Sequence, residues 1–134
     1  MAYTTTATTK GGREGRAILD TGALALAMAP PKEMGGAGDG HNPEQLFALG
    51  YSSCFGSALM LVARKHGVDG QKARVSAAVT LGQSDTGYDL SVEITVSVPG
   101  EDRAKVEAMV AEAHQICPYS KATRDNITVT LTVV

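Results

Sequence analysis

The sequence predicts an α+β fold with a mainly antiparallel sheet and one long, apolar, central helix. Three observations carry this. No charged residue occurs between Leu46 and Val62, and a strong helix start stands just ahead of that run. Leu90, Val92, Ile94, Val96 and Val98 alternate without a break, the period of two that marks a strand. Short strand-like stretches joined by turn residues are grouped around two helical segments, so the order reads βββ, α, ββ, α, β.

Taken in order, Thr4 to Thr9 is rich in β-branched residues and ends at Gly11-Gly12, a turn signal. Arg16 to Leu19 and Leu24 to Met28 flank Asp20-Thr21-Gly22 as a hairpin would. From Pro30 to His41 the chain is rich in Gly and Pro and reads as a loop or lid. Asn42-Pro43-Glu44-Gln45 then opens a helix: Asn caps, Pro takes the first helical position, and Gln45 completes a capping box. This helix should run to about His66 and stop at Gly67. Arg74 to Leu81 reads as a strand and Ser84-Asp85-Thr86-Gly87 as a turn into the alternating strand. Val106, Met109, Val110 and Ala113 recur at helical spacing, and a final strand carries Ile127, Val129, Leu131 and Val133 on one face.

A chain of 134 residues suits a single domain spanning 1–134. Apolar residues make up 43% and charged ones 19%, an ordinary globular mix. A net charge of -2 with no Lys/Arg run argues against a nucleic-acid binder. Met1-Ala2-Tyr3 and the threonines after it have neither the basic nor the apolar region of a signal peptide, so a cytoplasmic, reducing setting is expected. The uncharged run approaches a membrane span in length, yet it contains Gly50, Ser52, Ser53, Gly56 and Ser57. A helix apolar all round is a buried one, and this chain is too small to cover it alone. A second copy, in a homodimer, is the expected cover.

Metal and nucleotide chemistry find little support. His41, His66 and His114 are scattered without ligand spacing and read as surface or cap residues. The glycines of 35–40 lack the Gly-Lys-Ser/Thr of a P-loop, and Ser52 and Ser53 lack a nucleophile elbow. The two cysteines, Cys54 in the apolar helix and Cys117 where the second helix ends, are either inert buried thiols or one redox pair. A reactive cysteine needs a neighbour that stabilises its thiolate. Arg13 after Gly11-Gly12 and Arg124 after the second cysteine are the candidate cations. Glu44 lies ten residues before Cys54 on the same helix, about 15 Å along its axis and about 80° around it. The two therefore do not touch within one chain. To serve one site, they need a bridging arginine or a glutamate from a partner subunit.

At these residues the sequence resembles the organic hydroperoxide resistance proteins, the Ohr branch of the OsmC/Ohr family of thiol peroxidases. The matching pieces are Gly11-Gly12-Arg13, Pro31-Lys32-Glu33-Met34-Gly35-Gly36, Asn42-Pro43-Glu44-Gln45-Leu46-Phe47-Ala48, Gly50-Tyr51-Ser52-Ser53-Cys54-Phe55, Cys117-Pro118-Tyr119-Ser120, Ala122-Thr123-Arg124 and Asn126-Ile127. They span essentially the whole chain. Asp39, His41 and Lys121 depart from the family pattern. The resemblance implies an OsmC-like fold in an intertwined homodimer that reduces organic hydroperoxides to alcohols. It implies Cys54 as the peroxidatic cysteine, Cys117 as the resolving one and a disulfide between them. Arg13 would hold the thiolate and polarise the peroxide, and Glu44 would orient that arginine. The reductant it implies is a dihydrolipoyl group on a lipoylated protein, with no bound cofactor. Phe55, Tyr51, Ile116 and Met34 are the candidates for an apolar substrate wall. The alternatives are an OsmC-type peroxidase with another peroxide or reductant, or a thiol redox sensor or apolar-ligand carrier without catalysis.

Overall fold

The computed structural model describes residues 1–134. The strands are β1 (Ala7–Lys10), β2 (Arg16–Leu19), β3 (Ala25–Ala27), β4 (Arg74–Ser84), β5 (Gly87–Ser97) and β6 (Thr128–Val133). The helices are α1 (Pro43–Lys65), α2 (Arg103–Ile116) and α3 (Pro118–Thr123). The expected order βββαββαβ is present, with the short α3 added ahead of the last strand. Composition suggests one domain, whereas the contacts fall into two compact units, Met1–Leu46 and Phe47–Val134.

In the first unit β1, β2 and β3 form an antiparallel sheet, with Thr8 opposite Ile18 and Ala17 opposite Leu26. All of β1 is exposed and β2 only alternates with half-buried positions. Met28 is the one buried apolar side chain that residues 1–46 contribute. The Gly/Pro-rich loop is tightly organised. A 3-10 turn over Lys32–Met34 ends on Gly35 in the left-handed region, at φ 82°, where a side chain would be strained. The amides of Gly36 and Gly38 bond back to the carbonyls of Pro31 and Pro30. The loop's two ends are pinned together by Ala29 N–H to the His41 carbonyl (2.9 Å) and His41 N–H to the Ala27 carbonyl (2.8 Å).

α1 starts as its sequence dictates. The Gln45 amide donates to Asn42 Oδ1 (2.9 Å), and Gln45 Oε1 accepts from the Asn42 amide (3.1 Å). This reciprocal pair satisfies two of the helix's orphan donors. At its other end Gly67 turns left-handed at φ 67°, and the Val68 amide returns to the Ala63 carbonyl, a Schellman-type stop. Length and composition would let α1 cross a bilayer, but Tyr51, Phe55, Ala58, Leu59, Val62 and Ala63 form a buried stripe along it. That stripe belongs to the core of the second unit. Leu49 and Leu61 remain exposed, so the helix is apolar all round but covered on one side only.

The second unit holds a sheet in the order β4-β5-β6. β4 and β5 make a long antiparallel hairpin through a tight turn at Gly87 (φ 125°). β6 lies parallel to β5, with Val92, Ile94 and Val96 opposite Val129, Leu131 and Val133. A parallel neighbour needs a crossover, and α2 with α3 supplies it. Asp102 caps α2 by accepting from the Lys105 amide. The inward side chains of β5 (Val92, Ile94, Val96), Val98 just beyond it, and Val106, Met109, Val110 and Ala113 of α2 join the α1 stripe in one core.

Candidate active site

Cys54 sits midway along α1, half-buried, and Cys117 is completely buried between α2 and α3. Pro118 explains the break. A residue before proline is pushed out of the helical region, and Cys117 stands at φ -64°, ψ 122°. It closes α2 through its amide to the Ala113 carbonyl and opens α3 through its own carbonyl, which accepts from the Lys121 amide. The turn sets the Cys117 thiol 3.6 Å from Cys54 Sγ. Both cysteines are reduced. A disulfide needs sulfurs at about 2.05 Å, so bonding requires the two sulfurs to close by roughly 1.5 Å.

Burial pushes the Cys54 thiol above its ordinary range, the backbone N–H of Tyr119 pulls it down, and the neighbouring Cys117 thiol adds to the rise. The surroundings within this unit therefore favour thiol over thiolate. One candidate cation, Arg124, is committed elsewhere: its guanidinium donates to the His114 carbonyl at the C-terminal end of α2, and its Nε is buried with no partner. The other, Arg13, makes a two-pronged bond to Glu44 in the first unit, at 2.9 and 2.7 Å. The hydrogen bonds from Arg13 hold the Glu44 carboxyl below its usual range and keep the guanidinium firmly protonated. Such a fork fixes the plane of the arginine as well as its charge. Structure thus brings together Arg13 with Glu44, and Cys54 with Cys117.

The expected apolar wall divides. Ile116 and Met34 are 42% and 45% exposed, whereas Tyr51 and Phe55 are fully buried. Tyr51 and Phe55 lie beneath the surface of this chain. Met34 borders a cleft of about 450 Å³ in the first unit, shared with Glu14, Met28, Pro30, Gly36 and Asp39.

Several groups around the cysteines escaped sequence reasoning. His114 is a half-buried residue whose Nδ1 lies 2.9 Å from Ser120 Oγ, which corrects its reading as a surface or cap histidine. Burial, with the Arg124 charge second, holds its pKa below the ordinary value. Ser120 and Thr123 are buried polar residues on α3. Tyr119 packs across α1: its ring lies 5.7 Å from Tyr51 and 6.2 Å from Phe47. Gly50 makes this possible, because a Cβ there would stand 2.8 Å from the Tyr119 hydroxyl. The motif Cys-Pro-Tyr-Ser held the signal for this docking, but only the fold shows what it docks against.

Fold and thiol pair together define an α+β protein of the OsmC-like class. The chain belongs to that family, which matches residues 36–132 as OsmC-like protein. An organic hydroperoxide resistance protein of Xanthomonas axonopodis pv. citri (strain 306) is 48% identical over 136 residues, covering 99% of this chain and 95% of that one. Among solved structures, an organic hydroperoxide resistance protein from Legionella pneumophila superposes with a TM-score of 0.93 at 40% identity, covering 99% of this chain and 98% of the other. One from Elizabethkingia anophelis gives 0.90 at 43% identity, covering 99% and 96%. The α+β fold expected from the sequence is therefore the fold of this family.

Proposed function

We propose that this protein is a cysteine-based peroxidase that reduces organic hydroperoxides to alcohols. The observation that carries the reading is the thiol pair itself: two reduced sulfurs 3.6 Å apart, one half-exposed and the other sealed in the core. That asymmetry supports one division of roles. The accessible Cys54 meets the oxidant, and the shielded Cys117 meets only Cys54. The names of the relatives point to the same substrate class.

The Cys54 thiolate attacks the terminal peroxide oxygen. The O–O bond breaks, sulfur becomes a sulfenic acid, and the alkoxide takes a proton to leave as the alcohol. The Cys117 sulfur then attacks the Cys54 sulfenic sulfur, forming a disulfide and releasing water. A dithiol restores both thiols by exchange through a mixed disulfide, and its own two sulfurs end as a disulfide. We assign this last role to a dihydrolipoyl group on a lipoylated protein. Because burial disfavours the Cys54 thiolate, the chemistry requires a cation. Arg13, oriented by Glu44, supplies it, stabilising the thiolate and then the charge building on the departing oxygen. Ile116 and Met34 are the candidates for contact with the apolar part of the peroxide.

The working form in this reading is an intertwined homodimer in the cytoplasm, with residues 1–134 acting as one OsmC/Ohr-like domain. Support for the dimer comes from the first unit, which leaves one face of its sheet exposed and the other only half-buried, and fully buries only Met28 among its apolar side chains. Further support comes from the exposed Leu49 and Leu61 of α1. Surfaces of this kind are ordinarily covered by a partner.

The deciding experiment supplies purified protein with cumene hydroperoxide and either dihydrolipoamide or glutathione. Steady consumption with dihydrolipoamide and little with glutathione is expected. No consumption with either would replace the enzyme with a redox sensor or carrier, and preference for glutathione would reassign the reductant. Arg13→Ala should slow the first oxidation of Cys54 by about a hundredfold, the scale of losing one oxyanion-stabilising donor. Its melting temperature should barely move, since exposed ion pairs add little stability. A wild-type rate of sulfenic acid formation in stopped flow would return Arg13 to the surface.

A further inference from the structure

Tyr51 lies three residues before Cys54, and Ser120 three residues after Cys117. Their hydroxyls are 2.9 Å apart in the core. One buried hydrogen bond thus joins the helical turn that carries the first sulfur to the turn that carries the second. It does not stand alone. Tyr51 Oη also lies 3.1 Å from Thr123 Oγ1, the Thr123 hydroxyl donates to the Ser120 carbonyl at 3.2 Å, and His114 Nδ1 reaches Ser120 Oγ at 2.9 Å.

The donors can be placed in order. With the Thr123 proton directed at the Ser120 carbonyl, Thr123 Oγ1 accepts from Tyr51. In the His114 tautomer that carries its proton on Nδ1, Ser120 Oγ accepts from His114 and donates in turn to the Tyr51 oxygen. The result is a one-way chain, His114 to Ser120 to Tyr51 to Thr123 to the Ser120 carbonyl, in which every hydroxyl both gives and receives. Each link in such a chain polarises the next, and removing one leaves buried polar groups unpaired. Ser120 and Tyr51 are completely sealed from solvent, so water cannot take the place of a missing member.

We propose that this buried chain is a positioning clamp that sets the distance between the two sulfurs, and so decides whether oxidised Cys54 is resolved or over-oxidised. The inference rests on the peroxidatic role assigned to Cys54 above. A sulfenic acid has two fates: capture by Cys117, or attack on a second peroxide to give the sulfinic acid, which thiols do not reverse. Capture within the molecule depends steeply on how closely the reacting atoms are held. No member of the chain needs to touch peroxide. Tyr51, Ser120 and Thr123 act through where they hold the two turns, and His114 anchors that arrangement to the end of α2.

The test measures partition rather than rate. Reduced protein is titrated with cumene hydroperoxide in the absence of reductant, and intact mass gives the ratio of disulfide to sulfinic product. This ratio is counted per sulfenic acid formed and is independent of how fast that species arises. Tyr51→Phe keeps the ring volume and removes only the hydroxyl, and Ser120→Ala removes the central link. Both should lower the ratio by about tenfold, the weight of one buried hydrogen bond in the competition. Val92→Ala, in the core but away from this turn, serves as the stability control and should keep the wild-type ratio. If Ser120→Ala does not fold, Tyr51→Phe alone decides. A wild-type ratio in Tyr51→Phe, or an equal fall in Val92→Ala, would overturn the clamp while leaving the peroxidase intact. Wild-type protein that forms no disulfide at all would overturn the peroxidase reading, and the clamp with it.

Discussion

Replacing Cys54 by serine is expected to abolish turnover of organic hydroperoxide, by about 10⁴-fold or more, the scale on which loss of a nucleophile is felt. The fold should be almost untouched. Serine is close to isosteric, and the site is half-buried within a helix already held by its capping box and its apolar stripe. What disappears is the only accessible thiol. Cys117 is fully buried, and an alcohol does not substitute for a thiolate against an O–O bond. The measurement is peroxide consumption with dihydrolipoamide, beside a melting curve to show that the protein is folded. Turnover retained in this variant would remove Cys54 from the chemistry, and the proposed function with it.

Cys117→Ser gives the second large effect, of a different kind. The first equivalent of hydroperoxide should be consumed, because the attacking sulfur remains. The cycle should then stall, with Cys54 accumulating as sulfenic and next as sulfinic acid. Mass spectrometry after stepwise addition of oxidant distinguishes the outcomes: one added oxygen atom at low peroxide, two at higher, and no disulfide at any point. Normal steady-state cycling would mean that the external dithiol reduces the sulfenic acid directly, and that the 3.6 Å approach of the thiols has no part in turnover.

What could be read from the sequence depended on how local each signal was. The start of α1 is written in four consecutive residues, Asn42 to Gln45, and its capping bonds form as those residues dictate. The alternation in β5 was equally legible, because period two needs no partner to be recognised. Strand direction is another matter: the same alternation in β6 serves parallel or antiparallel pairing, and only the α2–α3 crossover makes it parallel. α3 has six residues, too few to show a helical period. The full burial of Tyr51 and Phe55 was not legible, because an apolar helix does not announce which of its sides faces the core. Ser120 and Thr123 carried no role of their own in the sequence and His114 read as a surface or cap residue, since their burial depends on a turn docked from distant sequence. The resemblance named both cysteines and gave the arginine and glutamate their roles. The approach of the thiols and the forked Arg13–Glu44 bond are geometry that no spacing supplies.

One feature of the first unit bears on how the molecule is made. Residues 1–46 leave the ribosome before the rest, yet they bring a single buried apolar side chain, Met28, to a three-stranded sheet. A small sheet that buries so little does not hold alone in water, so these strands need a covering surface before they settle. The segment waits on that surface. For that interval, nascent copies carry bare strand edges open to one another.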